Sequence, residues 1–338
     1  MQNAYISRLV SALVALLGVS IVIFSIARIM PGDPARIALG PNATAAQVEA
    51  MREARHLNDP LPMQYIEYVK SVAQGDLGHS LYTNRPVTTD IAQFLPPTLE
   101  LILISALLMV LLGLPLGVIS ARYQGKWPDN AGRILSLIAI CTPAFVWGVV
   151  LQLSLGYIWP VFPLEGQIAT SMRPAVVTGF MLIDTWIAGD PRAFLNALYH
   201  MVLPALALAL SGIGQCARLT RSNMIETYQR PYTEMVRAYG VKPGRIAWRY
   251  AFRPAFIPTL TILGLEFAAL LGNAFLVEKV FGWPGLSRYG VEVILRKDLD
   301  AIVGTVLIIA AAFLIMNILV DLLVTLVNPR IRLSPRRA

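Results

Sequence analysis

Charge is what this sequence has least of. Only 14% of its 338 residues are Asp, Glu, Lys or Arg, whereas a soluble globular chain carries about 25%. With 56% hydrophobic residues and a mean hydropathy of +0.61, the deficit argues against a water-solvated domain and names lipid as the main solvent. Cysteine is scarce as well. Cys141 and Cys216 both lie in apolar runs, which reads as buried thiols rather than a disulfide or a metal site. The three histidines, His56, His79 and His200, are too scattered for zinc-binding spacing. No His-Glu-x-x-His or nucleophile–base pattern supports a membrane-embedded enzyme. A phosphate-binding loop is missing too: Gly125-Lys126 has Ser120 where the first glycine of Gly-x-x-x-x-Gly-Lys-Ser/Thr belongs. Any ATP is therefore bound by another chain.

Long apolar runs are there instead. A bilayer core of ~30 Å takes ~20 residues of helix at ~1.5 Å each. Six runs meet or approach that length: Leu9–Ala27, Leu101–Ala121, Ile134–Pro160, Ala193–Ala217, Pro254–Val277 and Ala301–Val320. A shorter patch, Pro174–Ile187, carries Asp184 and reads as re-entrant or interfacial. The first run is followed by Arg28 and Pro31-Gly32-Asp33-Pro34. Lacking a small-residue cleavage site, it is expected to be a retained helix rather than a signal peptide. The expected fold is an all-α integral membrane protein of six transmembrane helices.

The net charge of +8 fits basic cytoplasmic loops rather than nucleic-acid binding. Six spans put both termini on one side. With that side cytoplasmic, the inside segments hold 16 of the 28 Lys and Arg, although the outside segments are far longer. The expected organisation is an N-terminal tail and first helix over 1–30, a small extracytoplasmic subdomain over 31–97, a transmembrane core over 98–327 and a cytoplasmic tail over 328–338. Within the subdomain, Thr44-Ala45-Ala46-Gln47 reads as a capping box opening one helix. Pro62 starts another at its first position, with Tyr65, Tyr68 and Val69 on one face.

The core contains a cytoplasmic loop, 218–253, dense in positive charge. Pro231 suits the first turn of a helix. Tyr232, Met235, Val236 and Tyr239 follow at helical spacing, and Gly240 stands at the natural stop. A helix of about two turns is marginal alone, and its apolar stripe wants cover. Two covers are open: anionic headgroups at the membrane surface, or a protein partner. Trp248, Tyr250, Phe252 and Arg253 supply a membrane-interface element just beyond, which frees the short helix for protein.

At these residues the chain resembles the permeases of ABC importers. Glu234-Met235-Val236-(three residues)-Gly240 is similar to their coupling motif, Glu-Ala-Ala-(three residues)-Gly. Met235 and Val236 replace the alanines. Arg253 stands where a proline is usual, with Pro254 next and Pro258 later. Other blocks resemble the dipeptide/oligopeptide branch, in the arrangement of the first, B-type, of its two paired permeases: Pro31-Gly32-Asp33-Pro34-Ala35, Gly75-Asp76-Leu77-Gly78-His79-Ser80, Pro97-Thr98-Leu99-Glu100-Leu101, Gly179-Phe180-Met181-Leu182-Ile183-Asp184 with Ala188-Gly189-Asp190, Val277 through Leu286, and Asn328-Pro329-Arg330-Ile331-Arg332. The resemblance implies a bacterial inner-membrane importer assembled with a second related permease, two cytoplasmic ATPases and an extracytoplasmic solute-binding protein. It implies that Tyr232, Glu234, Met235, Val236, Tyr239 and Gly240 contact an ATPase. It also implies that this chain binds no cofactor, ATP and Mg being used by the partner ATPases.

Polar residues in or near the spans are Glu100, Glu266, Asn273, Asn317 and Asp321. A charge at mid-bilayer costs roughly 2.5–3.5 kcal/mol on insertion scales, so Glu266, the deepest, lines a pathway or pairs with another helix. Glu266 and Asn273 are the candidate pathway residues. Glu100 and Asp321 read as interfacial. Asp184 and Asp190 face either the binding protein or solvent. Gly113, Gly117, Gly264 and Gly272 read as close-packing positions. The alternative class is a proton-coupled secondary transporter using Glu266 or Asp321, which often shows inverted repeats; none is evident here.

The loop charges make the topology testable. A reporter active only in the cytoplasm, fused after Ala338, should be active, and one inserted within 40–90 should read as external. Extracytoplasmic placement of the Ala338 fusion would overturn the arrangement.

Overall fold

A computed structural model describes residues 2–29, 34–39, 43–54 and 58–327. Motif residues 31–33, the segment 328–338 and the side chain of Asp321 lie outside the described residues. Fourteen α-helices form among the described residues, and no strand does. In chain order they are α1 Gln2–Ile29, α2 Pro34–Leu39, α3 Ala45–Ala54, α4 Leu61–Ala73, α5 Val87–Arg122, α6 Trp127–Cys141 and α7 Ala144–Leu151. After them come α8 Met181–Ile187, α9 Pro191–Tyr228, α10 Pro231–Ala238, α11 Pro243–Arg245, α12 Phe252–Val280, α13 Leu286–Leu295 and α14 Leu299–Val327. Two π-helical stretches, Gln152–Ile158 and Ile246–Ala251, extend α7 and bridge α11 to α12.

Among the described residues four helical stretches are long and apolar enough to cross a membrane: Val87–Arg122, Pro191–Tyr228, Pro243–Val280 and Leu299–Leu319. A fifth candidate is Trp127–Cys141 with Ala144–Ile158, a pair bent by 106°. Within α1 the described apolar stretch is Val10–Ile26. The sequence reading took Ile134–Pro160 as one continuous run, and the bend corrects it. Thr142 precedes Pro143 and sits at φ −98°, ψ 122°. The proline ring clashes with a helical residue before it, so the helix ends there.

The chain divides into two compact units, residues 1–97 with 284–314, and residues 98–283 with 315–338. In the first, the Thr44 amide donates to the Gln47 side chain at 2.9 Å and the Gln47 amide to the Thr44 hydroxyl at 3.3 Å, the reciprocal bonds of a capping box. Pro62 takes the second position of α4 rather than the first. Tyr65 and Tyr68 of α4 pack on Phe24 of α1 with ring centroids 5.4 and 5.7 Å apart.

Five of the six residues in the motif at 75–80 have a physical reason. Gly75 and Gly78 have φ of +84° and +83°, a region that strains residues with a Cβ. A Cβ on Gly78 would also stand 2.7 Å from an Asp300 carboxylate oxygen. Asp76 accepts the Gly78 amide at 2.8 Å. Leu77 enters a core with Val87, Leu286, Tyr289 and Ile302. The Ser80 hydroxyl donates to Asp298 at 2.7 Å, and the Tyr82 amide donates to the same carboxylate at 3.1 Å. A second buried carboxylate, Asp90, accepts from the Thr83 hydroxyl, from Arg85 at 2.6 Å and from the Tyr289 hydroxyl at 2.8 Å. Burial, with the Asp90 charge beside it, raises the Tyr289 phenol above the ordinary tyrosine range.

In the second unit α9 is the central helix, touching α6, α7, α8 and α12. Gly113 and Gly117 let α5 approach it. A Cβ at Gly113 would meet Cys216 at 2.8 Å, and one at Gly117 would meet the Ala217 carbonyl at 2.6 Å. These two act as the close-packing positions expected. Gly272 does not, since a Cβ there would meet nothing within 4 Å.

The buried Asp90 and Asp298 should carry much of the first unit's stability. Asp298→Ala removes the acceptor of the Ser80 and Tyr82 bonds and of a longer one from the Ala301 amide, bonds to a charged group worth about 1.5–3 kcal/mol each, and should lower the melting temperature in detergent clearly. Asp298→Asn, which keeps one acceptor, should lower it less. Equal melting of all three proteins would show that the loop at 80–82 is held some other way.

Candidate coupling site and membrane pathway

Length positions the site. At ~1.5 Å per residue, the 38 residues of α9 reach roughly 57 Å, well beyond a ~30 Å hydrocarbon core. Its apolar run ends at Ala217, and Arg218, Arg221 and Glu226 follow on the same helix. The C-terminal turns of α9 therefore project into the polar phase and carry the next helix there.

That helix is α10. Arg230 caps it in extended conformation and Pro231 opens it, where the missing N–H leaves no bond unmade. Thr233 is fully buried and its hydroxyl donates to the Thr227 carbonyl at 2.8 Å, pinning α10 to the end of α9. The stop is Gly240 at φ +76°, its amide bonding the Arg237 carbonyl at 3.0 Å. Beyond the turn, Ala247 and Ala251 of the π-helical stretch pack with Met224, Val118 and Ala255. The loop is thus folded back on α5 and α9. The ion pair between Arg230 and Glu226, 2.5 Å long, joins side chains 59% and 66% exposed, so water screens it and it adds little.

With Thr233 turned inward, the opposite face of α10 is open. Tyr232 is 39% exposed, Met235 56% and Tyr239 79%. Val236 is half-buried and Glu234 is exposed. The six residues singled out from the sequence lie on one short helix and its stop. Thr233 was missed, because a threonine between apolar positions gives no signal until its partner carbonyl, six residues earlier, is in place.

Glu266, half-buried on α12, faces α9: a Cβ on Gly212 would lie 3.9 Å from its carboxylate oxygen. Asn273 is exposed two turns further along α12. Two other carboxylates, Glu100 and Asp184, sit differently from the sequence reading, while Asp190 is exposed, as its solvent alternative has it. Glu100 is buried and accepts the Met181 and Leu182 amides at 3.1 and 2.7 Å, capping α8 from within the protein rather than at an interface. Asp184 is buried and faces neither solvent nor a binding protein. It accepts the Thr178 amide and hydroxyl, both at 2.7 Å, and the Gly179 amide at 3.1 Å. Burial alone would raise its carboxyl, but these bonds outweigh that and hold it below the ordinary aspartate value. Asp190 caps α9 by accepting the Arg192 and Ala193 amides at 2.9 and 3.1 Å. A buried carboxylate outside the expected set is Glu278, which takes the Thr98 hydroxyl at 2.6 Å.

Several long apolar helices, a re-bent pair and a short helix held out at the polar end define a multi-pass membrane protein of the permease class. Comparison with known proteins names the family. Residues 113–333 match "Binding-protein-dependent transport system inner membrane component", and residues 1–102 match the N-terminal model of such membrane components. The chain belongs to this family. It is 40% identical over 316 residues to a probable D,D-dipeptide transport system permease protein of Escherichia coli, covering 93% of each chain. It is 37% identical over 322 residues to a di/tripeptide transport system permease protein of Pseudomonas aeruginosa, covering 93% of this chain and 94% of the relative. It is 35% identical over 332 residues to a glutathione transport system permease protein of Pectobacterium atrosepticum, covering 98% and 99%. The family and these relatives are permease subunits of transport systems, not enzymes, which sets aside the self-sufficient proton-coupled carrier.

The turn after α10 supplies a test. Gly240→Asn should be tolerated, since asparagine accepts positive φ, while Gly240→Val should loosen the loop by about 1–2 kcal/mol or more. Tryptic cleavage after Arg237 in proteoliposomes should be faster only in the valine protein. Equal rates would show that the positive φ is not required.

Proposed function

We propose that this chain is the pore subunit of an ATP-driven importer of di- or oligopeptides, and that α10 is the lever through which ATPase closure reaches the membrane. The three relatives are named for D,D-dipeptides, di/tripeptides and glutathione, and glutathione is itself a tripeptide. Short peptides are thus the substrate class their names share. The complete assembly would hold a second related permease, two cytoplasmic ATPases that use ATP and Mg, and a solute-binding protein outside. This chain would bind no cofactor itself.

In this reading α1 is the first of six spans, the bent pair α6–α7 counts as one, and both termini are cytoplasmic. Glu266 and Asn273 line the route between this chain and its paired permease, where a carboxylate and an amide escape the insertion cost of facing lipid.

The observation that carries the coupling role is the exposed stripe of Tyr232, Met235 and Tyr239 on a helix that Thr233 fixes in place. An apolar stripe on a braced helix, in a polar phase, calls for a matching groove. Gly240 lets the chain turn away at once, so the helix end is free to insert.

Met235→Asp isolates this role. Met235 is exposed in the lone chain, so the change should leave folding and insertion intact. In the complex it buries an unpaired charge, which should weaken ATPase docking by about 3 kcal/mol or more, roughly a hundredfold. Copurification of the ATPases and peptide uptake should both fall. Normal values of both would sink the docking role and favour a helix lying on the lipid surface.

A further inference from the structure

Away from α10, the second unit has a cleft of about 570 Å³ between α5, α6 and α9. Arg133, Arg218 and Arg221 line it, with Ser120 and Asn130 as neutral polar groups and Ile134 and Leu137 at its apolar end. Asp129, buried beside it, takes one of the three charges. Its carboxylate meets Arg221 in two bonds of 2.5 and 2.8 Å and accepts the Gly125 amide at 2.9 Å. The Arg218 guanidinium donates to the neutral Gln215 side chain at 2.8 Å. Three guanidiniums thus stand against two carboxylates, Asp129 bonded to Arg221 and Glu266 at longer range from Arg218, so the cleft keeps a net positive charge, and Asp129 also fixes Arg221 in its wall.

Depth is set by two independent markers. Trp127, at the start of α6, is 80% exposed, as an interfacial tryptophan is. Arg218 stands where the apolar run of α9 ends. Immediately along α6 the exposed side chains turn aliphatic, Ile134 at 59%, Leu135 at 65% and Leu137 at 58%. The cleft is therefore polar and cationic at headgroup depth and apolar one turn deeper. That profile matches one phosphate with an acyl chain below it, and basic pockets between spanning helices are where anionic headgroups bind.

We infer that the cleft of Arg133, Arg218 and Arg221 is a binding site for a phosphate group carried by an anionic membrane lipid. The site is independent of which solute the importer carries. It differs from the stripe on α10, which is apolar and offers no guanidinium. Arginine suits it because the planar fork holds two phosphate oxygens at once.

The test uses the importer purified with its partner subunits in neutral detergent, titrated with phosphatidylglycerol or phosphatidylcholine and read by native mass spectrometry. Phosphatidylglycerol should be retained in preference to phosphatidylcholine. Arg133→Gln and Arg218→Gln, which spare the Asp129–Arg221 pair, should each weaken that retention about fivefold, and Arg→Lys at both positions should keep most of it. Unchanged melting temperatures would separate loss of binding from loss of fold. A second arm adds inorganic phosphate. Failure to displace the lipid supports a lipid site, whereas displacement supports a phosphate site and reassigns its source to free anion. Retention equal in wild type and the Gln proteins overturns the inference. So does retention by the lone chain that vanishes in the complex, because a partner subunit then fills the cleft.

Discussion

In hydrocarbon no water stands ready to accept a peptide N–H, so every backbone group must find its partner inside the protein. Much else in this chain follows from that obligation. Continuous helix satisfies it along α5, α9, α12 and α14. Where helical bonding is interrupted around α8 and α9, carboxylates take over, two of them buried and the third, Asp190, exposed. Glu100 collects the first amides of α8, Asp184 collects those of the loop before it, and Asp190 collects those of α9. Three acidic residues in a charge-poor protein thus serve as fixed acceptors around α8 and the start of α9. Removing Glu100 or Asp184, both buried, would strand amides away from water.

The same solvent removes the ordinary reason for helices to associate, since lipid tails are as apolar as leucine. Contact must come from closeness and shape. Gly113 and Gly117 bring α5 against Cys216 and Ala217 of α9, and Gly214 brings α9 against the Ser136 carbonyl of α6. The helix so gripped is the one that runs past the bilayer and ends at α10. A displacement of α10, in the coupling role proposed for it, would act on a helix packed against α6, α7, α8 and α12. In the other unit the corresponding adhesive is polar. Asp90 and Asp298, both fully buried, hold the loop around 80–85, where charged hydrogen bonds do what close glycine contacts do between the apolar helices.

The sequence by itself determined a good deal. Run lengths determined that the chain is membrane-embedded and helical, because only a helix satisfies its own backbone over twenty apolar residues. The pattern from Pro231 to Gly240 determined a short helix with an apolar stripe, since its start, period and stop are all local. The pair Thr44 and Gln47 determined the start of α3 for the same reason. Only the tertiary structure decided the rest. The bend at Thr142-Pro143 was hidden by unbroken hydropathy, a measure blind to backbone angles. The roles of Glu100 and Asp298 were hidden because their donors come from elsewhere in the chain, 81 residues away for Met181 and Glu100 and 218 for Ser80 and Asp298. Thr233 likewise became an anchor only once α9 presented the Thr227 carbonyl. Periodicity and caps are written within a turn or two of sequence, whereas a buried charge is explained only by the groups that folding brings to it.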